Sequence, residues 1–168
     1  MNTIILGNIV IFAGAMIMVL TGLIKKKNHI LLAQCAQFLI MGIGNLILGG
    51  VIGFISNIIS IFRNLYCYKF EFTTKIKLFF IVVSAALSLA VNTEGVYGLL
   101  PVLAACIFTW FLDTKSEITL KCVILVCQVL WIVYDFSISN FTGMVFDALT
   151  VVTNIMGIVM ILKDKKQN

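Results

Sequence analysis

Two stretches of this sequence carry the same polar pattern within apolar surroundings. Residues 53–64 read GFISNIISIFRN, and residues 143–154 read GMVFDALTVVTN. Aligned ninety positions apart, they pair Gly53 with Gly143, Asn57 with Asp147, Ser60 with Thr150, and Asn64 with Asn154. Positions i, i+4, i+7 and i+11 share one face of a helix. Each stretch therefore predicts a helix with one polar row, and such a row can hydrogen-bond a polar solute.

The composition shows which solvent surrounds these helices. Hydrophobic residues make up 61% of the 168 positions and charged residues 11%, and the mean hydropathy is +1.12. Soluble domains usually carry about 25% charged residues. The chain is therefore predicted to lie in the lipid bilayer, as an all-α polytopic membrane protein with little room for a soluble domain.

Uncharged runs predict seven transmembrane helices. The segment from Ile30 to Phe62 is too long for one span, because its 33 residues would extend about 50 Å against a hydrocarbon core of about 30 Å. Gly49 and Gly50 supply a turn that divides it into helices two and three. The other predicted helices are Thr3–Ile24, Leu78–Val91, Gly95–Leu112, Thr119–Phe136 and Phe141–Leu162.

The basic residues predict the orientation of these helices. All twelve Lys and Arg residues follow helices one, three, five and seven, and the alternate side has none. Cytoplasmic loops are enriched in Lys and Arg. We therefore expect multiple passes through the bacterial inner membrane, with the N-terminus outside and the C-terminus in the cytoplasm.

The polar rows fall in helices three and seven, which predicts an internal duplication. Residues 1–68 form the first three-helix repeat, residues 69–93 a linker helix, and residues 94–168 the second repeat. A single linker helix gives both repeats the same orientation. This 3+1+3 arrangement of parallel repeats is SWEET-like, because SWEET transporters are built in this way.

Two interpretations of the polar rows are open. Small and amide residues commonly let membrane helices pack closely. Alternatively, the two rows face a central cavity and bind a solute, because polar residues at repeat-related positions often line pathways. The residues assigned to the solute from the rows are Asn57, Ser60, Asn64, Asp147, Thr150 and Asn154.

Asp147 is the acidic member of the pattern, and no basic residue is expected on its half of the protein. An unpaired carboxylate in a membrane costs about 2.5–3.5 kcal/mol. Asp147 is therefore predicted to lie in a hydrated cavity, to be protonated or to hold a cation, and its candidate role is proton coupling. An aspartate that caps a turn at the interface is the alternative.

Three further residues have candidate roles. Trp110 and Trp131 could stack on a ring-shaped solute, or they could anchor the protein at the interface. Pro101 could be a hinge, or it could lie in the first turn of helix five, where proline costs little. Arg63 is expected to extend to the lipid headgroups from the inner end of helix three.

Enzyme chemistry is not indicated. The five cysteines form no C-x-x-C pair, and the single histidine is His29, so no metal site, catalytic residue or cofactor is predicted. The net charge of +5 lies in loops, where it serves orientation, and no nucleic-acid partner is expected.

Several segments resemble the YgjV family of bacterial inner-membrane proteins. They are GLLPVLAACIFTWF (98–111), LKCVILVCQVLWIVYDF (120–136), and the Gly143, Asp147, Asn154 spacing, with Arg63 matching the arginine at the end of helix three. The resemblance covers nearly the whole chain and implies an architecture similar to the SWEET and PQ-loop superfamily. The Pro-Gln dipeptide of that superfamily is missing here.

These observations favour a carrier for a small polar solute, either a facilitator or a proton-coupled transporter. A receptor or scaffold on the same fold is the alternative. The pathway can form within one chain, so a homo-oligomer is possible but not required.

Overall fold

A computed structural model describes residues 3–47, 51–92, 95–137 and 141–167. All regular structure in these residues is helical. In chain order the helices are α1 Thr3–Thr21, α2 Lys27–Ile47, α3 Val51–Lys69, α4 Thr74–Ala90, α5 Leu99–Phe111, α6 Glu117–Ser137 and α7 Phe141–Gln167. The all-α fold expected from the sequence is therefore confirmed. The predicted turn at Gly49 and Gly50 lies outside the described residues.

Several helix ends differ from those that the charge pattern indicated. α3 continues past Phe62 to Lys69, and α7 continues to Gln167. α5 begins at Leu99, after a loop in which Gly95 has a φ of +62°. This left-handed backbone conformation favours glycine, and the Asn92 side chain donates a hydrogen bond to the Gly95 carbonyl at 3.0 Å.

Each helix packs against its neighbours in the chain, and α7 returns to α1. α2 is the middle helix of the triplet α1–α3, and α6 is the middle helix of the triplet α5–α7. The triplets meet at two places, which we call the α1–α7 junction and the α3–α5 junction. α4 packs on both α3 and α5, and its buried residues Phe80, Ser84 and Ser88 lie on one face.

Contacts between loops define one end of the bundle, which we call the basic end. The Lys25 amine pairs with Asp164 of α7 at 2.5 Å, and the Lys77 amine of α4 pairs with Asp113 at 2.8 Å. The Lys27 amine donates to the Thr114 carbonyl at 3.1 Å. Beneath these loops the side chains of Ile30, Leu31, Leu112 and Leu120 have no exposed surface. This apolar plug closes the basic end.

The outer surface of the bundle is apolar. Along α1 the exposed side chains are Ile5, Ile9, Phe12, Met16 and Leu20, and α7 has a similar row. Apolar patches of this extent suit lipid rather than water. By length and composition, α2, α3, α6 and α7 are each able to cross a membrane, and α1 and α5 are shorter apolar helices.

Candidate functional site

A buried cluster of four polar residues lies at the α3–α5 junction. We call Gln34, Arg63, Asn64 and Thr109 the arginine cluster. Arg63 donates from Nε and from Nη2 to Asn64 Oδ1 at 3.3 Å each, and from Nη1 to Thr109 Oγ1 at 3.1 Å. Asn64 Nδ2 donates to Gln34 Oε1 at 3.0 Å. The cluster therefore joins α2 and α3 of the first triplet to α5 of the second.

Arg63 does not extend toward the headgroups, so that prediction is wrong. Its side chain is 3% exposed, and its guanidinium lies 4.7 Å from the centre of the Phe108 ring. Two features of the fold explain the difference. α3 continues to Lys69, which places Arg63 inside the helix, and α5 supplies both a hydroxyl and an aromatic ring across the junction. No described carboxylate forms an ion pair with Arg63.

A second buried cluster, of opposite charge, lies near the α1–α7 junction. We call Met18, Gln128 and Asp147 the aspartate cluster. Gln128 Nε2 donates to Asp147 Oδ1 at 3.2 Å and lies 3.6 Å from Met18 Sδ. The side chain of Asp147 is 6% exposed. The interaction with Gln128 therefore takes place inside the bundle, between α6 and α7.

Asn154 and Thr150 continue the polar row of α7 toward the basic end, and both are buried. Thr150 Oγ1 donates to the Phe146 carbonyl, and Asn154 Nδ2 donates to the Thr150 carbonyl at 2.9 Å. Asn154 Oδ1 is buried without a hydrogen-bond partner in the described structure, as is Gln37 Oε1 in α2. Such an oxygen is an acceptor site for water or for a solute.

The other half of the α3 row lies against α2. A Cβ built on Gly42 would lie 3.3 Å from Asn57 Cβ, and one built on Gly53 would lie 2.5 Å from the Asn45 side-chain nitrogen. Asn57 and Ser60 are half-buried. Close packing of α3 on α2 therefore accounts for the small residue at Gly53.

The remaining candidates lie apart from both clusters. Trp110 is 44% exposed, with the Lys77 amine 5.3 Å from its ring centre. Trp131 is half-buried and meets Tyr134 edge to face. Pro101 is buried in the first turn of α5, where the missing N–H removes no helix bond.

Lys121 is a buried residue to which the sequence pattern gave no role beyond orientation. Its side chain has no exposed surface, and its amine donates to the Gly22 carbonyl at 2.6 Å. Gly22 follows α1, so Lys121 caps the end of that helix. A Cβ built on Gly157 of α7 would collide with the same carbonyl oxygen, which indicates a close approach of α7 to α1.

Contacts at the two junctions correspond under the ninety-residue shift. Arg63 of α3 bonds Thr109 of α5, and Thr153 of α7 bonds the Val19 carbonyl of α1 at 2.8 Å. In addition, Cys67 lies 3.6 Å from the Leu112 carbonyl, and Gly157 approaches the Gly22 carbonyl. Positions 63 and 67 correspond to 153 and 157, while 109 and 112 correspond to 19 and 22.

A helical bundle with an apolar surface and buried polar clusters defines a polytopic membrane protein. Comparison with known families agrees. The chain matches Imp-YgjV, described as a bacterial inner membrane protein family, over residues 5–165. The chain belongs to this family, and its location in the bacterial membrane follows. No curated protein and no solved structure matches the chain.

Proposed function

We propose that this protein carries a small polar solute across the bacterial inner membrane, with the triplets α1–α3 and α5–α7 as parallel repeats and α4 as the linker. The corresponding contacts at the two junctions support the repeat. Local sequence similarity alone could align two helices by chance. The contacts of α3 with α5 match the contacts of α7 with α1. This match requires α5 to correspond to α1, in addition to the correspondence of α3 with α7.

The observation that carries the proposal is the side chain of Asn154. It has no exposed surface, and its Oδ1 has no hydrogen-bond partner in the described structure. An unsatisfied buried acceptor is costly, at about 1–3 kcal/mol, so a donor from water or from a solute is expected there. Thr150 and Asp147 precede it on the same buried row.

The junctions are where the triplets would move relative to one another. Parallel repeats in secondary transporters rock around a central binding site. Here the apolar plug closes the basic end, and the polar clusters lie farther along the bundle. In this proposal the buried apolar residues at the basic end form a closed gate, on the side that the Lys and Arg distribution predicts to be cytoplasmic.

Within this proposal, Thr150 and Asn154 contact the solute, and Asn64 lies beside the pathway, bonded to Arg63 and Gln34. Asn57 and Ser60 extend the α3 row, and Asp147 exchanges a proton. Trp110 and Trp131 would lie at the margin of the pathway, which the exposure of Trp110 and the partial exposure of Trp131 support. Pro101 would contribute by fixing the start of α5.

Uptake into proteoliposomes tests the proposal. Purified protein is reconstituted, and sugars, amino acids, nucleosides and vitamins are offered as labelled solutes. We expect uptake of one class, with strong loss in Asn154→Leu and partial loss in Asn57→Ala. Asn92→Ala, in the loop before α5, is the matched control and should transport normally.

A receptor or scaffold is the second candidate, and the packing of α3 on α2 favours it. Gly53 and Asn57 meet Asn45 and Gly42 at distances that leave little space, as in tight small-residue interfaces. Saturable binding of a solute without uptake of any candidate would decide for the receptor and against the carrier.

A further inference from the structure

Arg63 presents an unbalanced charge within the membrane-embedded part of the protein. Arginine stays protonated in proteins, and a buried charge is costly unless it is paired. The Phe108 ring offers a cation–π contact, which stabilises the cation but brings no negative charge. The nearby partners Asn64 and Thr109 are neutral.

The carboxylate of Asp147 does not balance this charge. Asp147 belongs to the aspartate cluster, where it accepts from Gln128 of α6. Arg63 belongs to the opposite junction, among α2, α3 and α5. The acids that form ion pairs in the described structure, Asp113 and Asp164, bind lysines at the basic end.

The guanidinium also keeps donors available. Three of its N–H groups bind Asn64 and Thr109. Arginine carries five, so one N–H remains on each terminal nitrogen. Asn64 occupies the edge shared by Nε and Nη2, so a bidentate ligand would use the edge shared by the two terminal nitrogens. Two oxygens of a carboxylate or phosphate group match that edge.

We infer that Arg63 binds an oxyanion, a carboxylate or phosphate group, with Asn64, Thr109 and Gln34 holding the guanidinium in position. The inference deepens the proposed function, on which it rests, by giving the solute an anionic group. The apolar plug lies about one helical turn, or 5 Å, closer to the basic end. The oxyanion would therefore reach Arg63 from the interior of the bundle.

Binding is tested on the full-length protein in dodecyl maltoside, which carries no phosphate. Inorganic phosphate and acetate are titrated at constant ionic strength, and glycerol serves as the neutral solute. We expect saturable thermal stabilisation by one oxyanion or both, and none by glycerol. Arg63→Gln should weaken binding by about tenfold or more, whereas Arg63→Lys should keep part of it.

Lys69→Gln is the matched control, because it removes the same charge from an exposed position on the same helix. It should leave the affinity unchanged. Equal weakening by Arg63→Gln and Lys69→Gln would overturn the inference, since it would indicate general electrostatic attraction. Absence of oxyanion binding to the unsubstituted protein, together with absence of bound phospholipid, would overturn it as well.

A lipid headgroup could supply the same chemistry, and native mass spectrometry with phosphatidylglycerol distinguishes this source. Phospholipid that stays bound to the unsubstituted protein but not to Arg63→Gln would assign the oxyanion to lipid. Competition by inorganic phosphate or acetate without retained phospholipid would assign it to a free solute.

If Arg63→Gln does not fold, Asn64→Asp tests whether Arg63 binds the oxyanion. A carboxylate at position 64 would accept the bonds that Arg63 now donates to Asn64 Oδ1 and would neutralise its charge. We expect a higher melting temperature and no oxyanion binding. Retained binding in this variant would overturn the inference.

The inference and the proposed function can fail separately. Oxyanion binding without uptake would leave Arg63 as the site and reject the carrier. Uptake of a neutral solute that Arg63→Gln does not affect would support the carrier and reject Arg63 as the site.

Discussion

Asn64 and Asn154 occupy equivalent positions in the two polar rows, yet their surroundings differ. Asn64 is bonded on both sides, by Arg63 and by Gln34. Asn154 has an oxygen without a partner in the described structure. The sequence explains the contrast, because Ile124 and Thr153 lie ninety positions after Gln34 and Arg63 and cannot make the same bonds. Asn64 is therefore held within the bundle, while the Asn154 oxygen is available to a donor.

This contrast predicts different costs for the same substitution. Asn64→Leu should lower the free energy of unfolding by about 2 kcal/mol more than Asn154→Leu. The first removes two of the three hydrogen bonds of Arg63 and the bond to Gln34. The second removes only the bond to the Thr150 carbonyl and an oxygen without a partner in the described structure. Thermal unfolding in detergent measures both variants. Equal destabilisation would contradict the assignment of Asn154 as the available site.

Asp147 gives a second prediction at this scale. The proposal assigns proton exchange to Asp147, whose buried side chain accepts a hydrogen bond from Gln128. A carboxylate can gain and lose a proton, whereas an asparagine cannot. We expect uptake by the unsubstituted protein to change with pH and uptake by Asp147→Asn to be independent of pH.

The control for Asp147 is Asp113→Asn, which changes an exposed carboxylate at the basic end. Its pH profile should match that of the unsubstituted protein. An unchanged profile in Asp147→Asn would remove proton coupling from the proposal, while leaving solute transport to be tested separately.

At the scale of elements, the two junctions differ in how closely their helices approach. Gly157 brings α7 against the Gly22 carbonyl, whereas Cys67 holds the corresponding place in α3. A side chain at the α3–α5 junction leaves the helices farther apart there. The α1–α7 junction is the tighter of the two.

Gly157→Ala should therefore be disruptive. The new methyl group would collide with the Gly22 backbone and with Lys121, and we expect a loss of about 1–3 kcal/mol in the free energy of unfolding. Ile155→Ala, a truncation on the lipid-facing side of the same helix, should cost less. The melting temperatures of Gly157→Ala and Ile155→Ala are compared in detergent. An unchanged melting temperature for Gly157→Ala would indicate that α1 and α7 are not in close contact.

The positions of the helices could be predicted because a membrane-spanning helix needs a long uncharged apolar run, with charged residues in the loops that follow. The helix count and the start of α7 at Phe141 follow from that pattern. The same pattern fails for Arg63, because this charge does not mark the end of the span near Phe62. Its burial depends on Thr109 and Phe108, which are distant in sequence. The contacts of Gln34 and Gln128 could not be predicted from the repeat, because these positions do not correspond under the ninety-residue shift.

At the scale of the whole molecule, the two ends of the bundle differ in charge. The basic end carries the lysine-rich loops and their ion pairs, while Val96, in the loop before α5 at the other end, is 77% exposed. From the positive-inside rule we expect the basic end to lie in the cytoplasm.

Thiol labelling of intact cells checks this orientation. In a background without the five native cysteines, Val96→Cys should react with a membrane-impermeant maleimide added outside. Lys115→Cys, at the basic end, should react only after the cells are permeabilised. Labelling in the opposite order would reverse the topology, and labelling of both positions would show that the loops do not lie on opposite sides.

The final prediction concerns motion of one triplet against the other. Lys25 follows α1 and Asp164 lies in the last turn of α7, and their side chains meet at the basic end. In a background without the five native cysteines, Lys25→Cys and Asp164→Cys are joined through two disulfides by a bis-methanethiosulfonate reagent. This link would tie the first triplet to the second. A carrier that opens at this end requires the triplets to separate there, so uptake should fall to background and return when a reductant cleaves the link. Lys77→Cys with Asp113→Cys is the matched control, because its link joins α4 to the loop after α5 and leaves the α1–α7 junction free. Full uptake through the Lys25–Asp164 link would show that the basic end does not open by separation of α1 from α7.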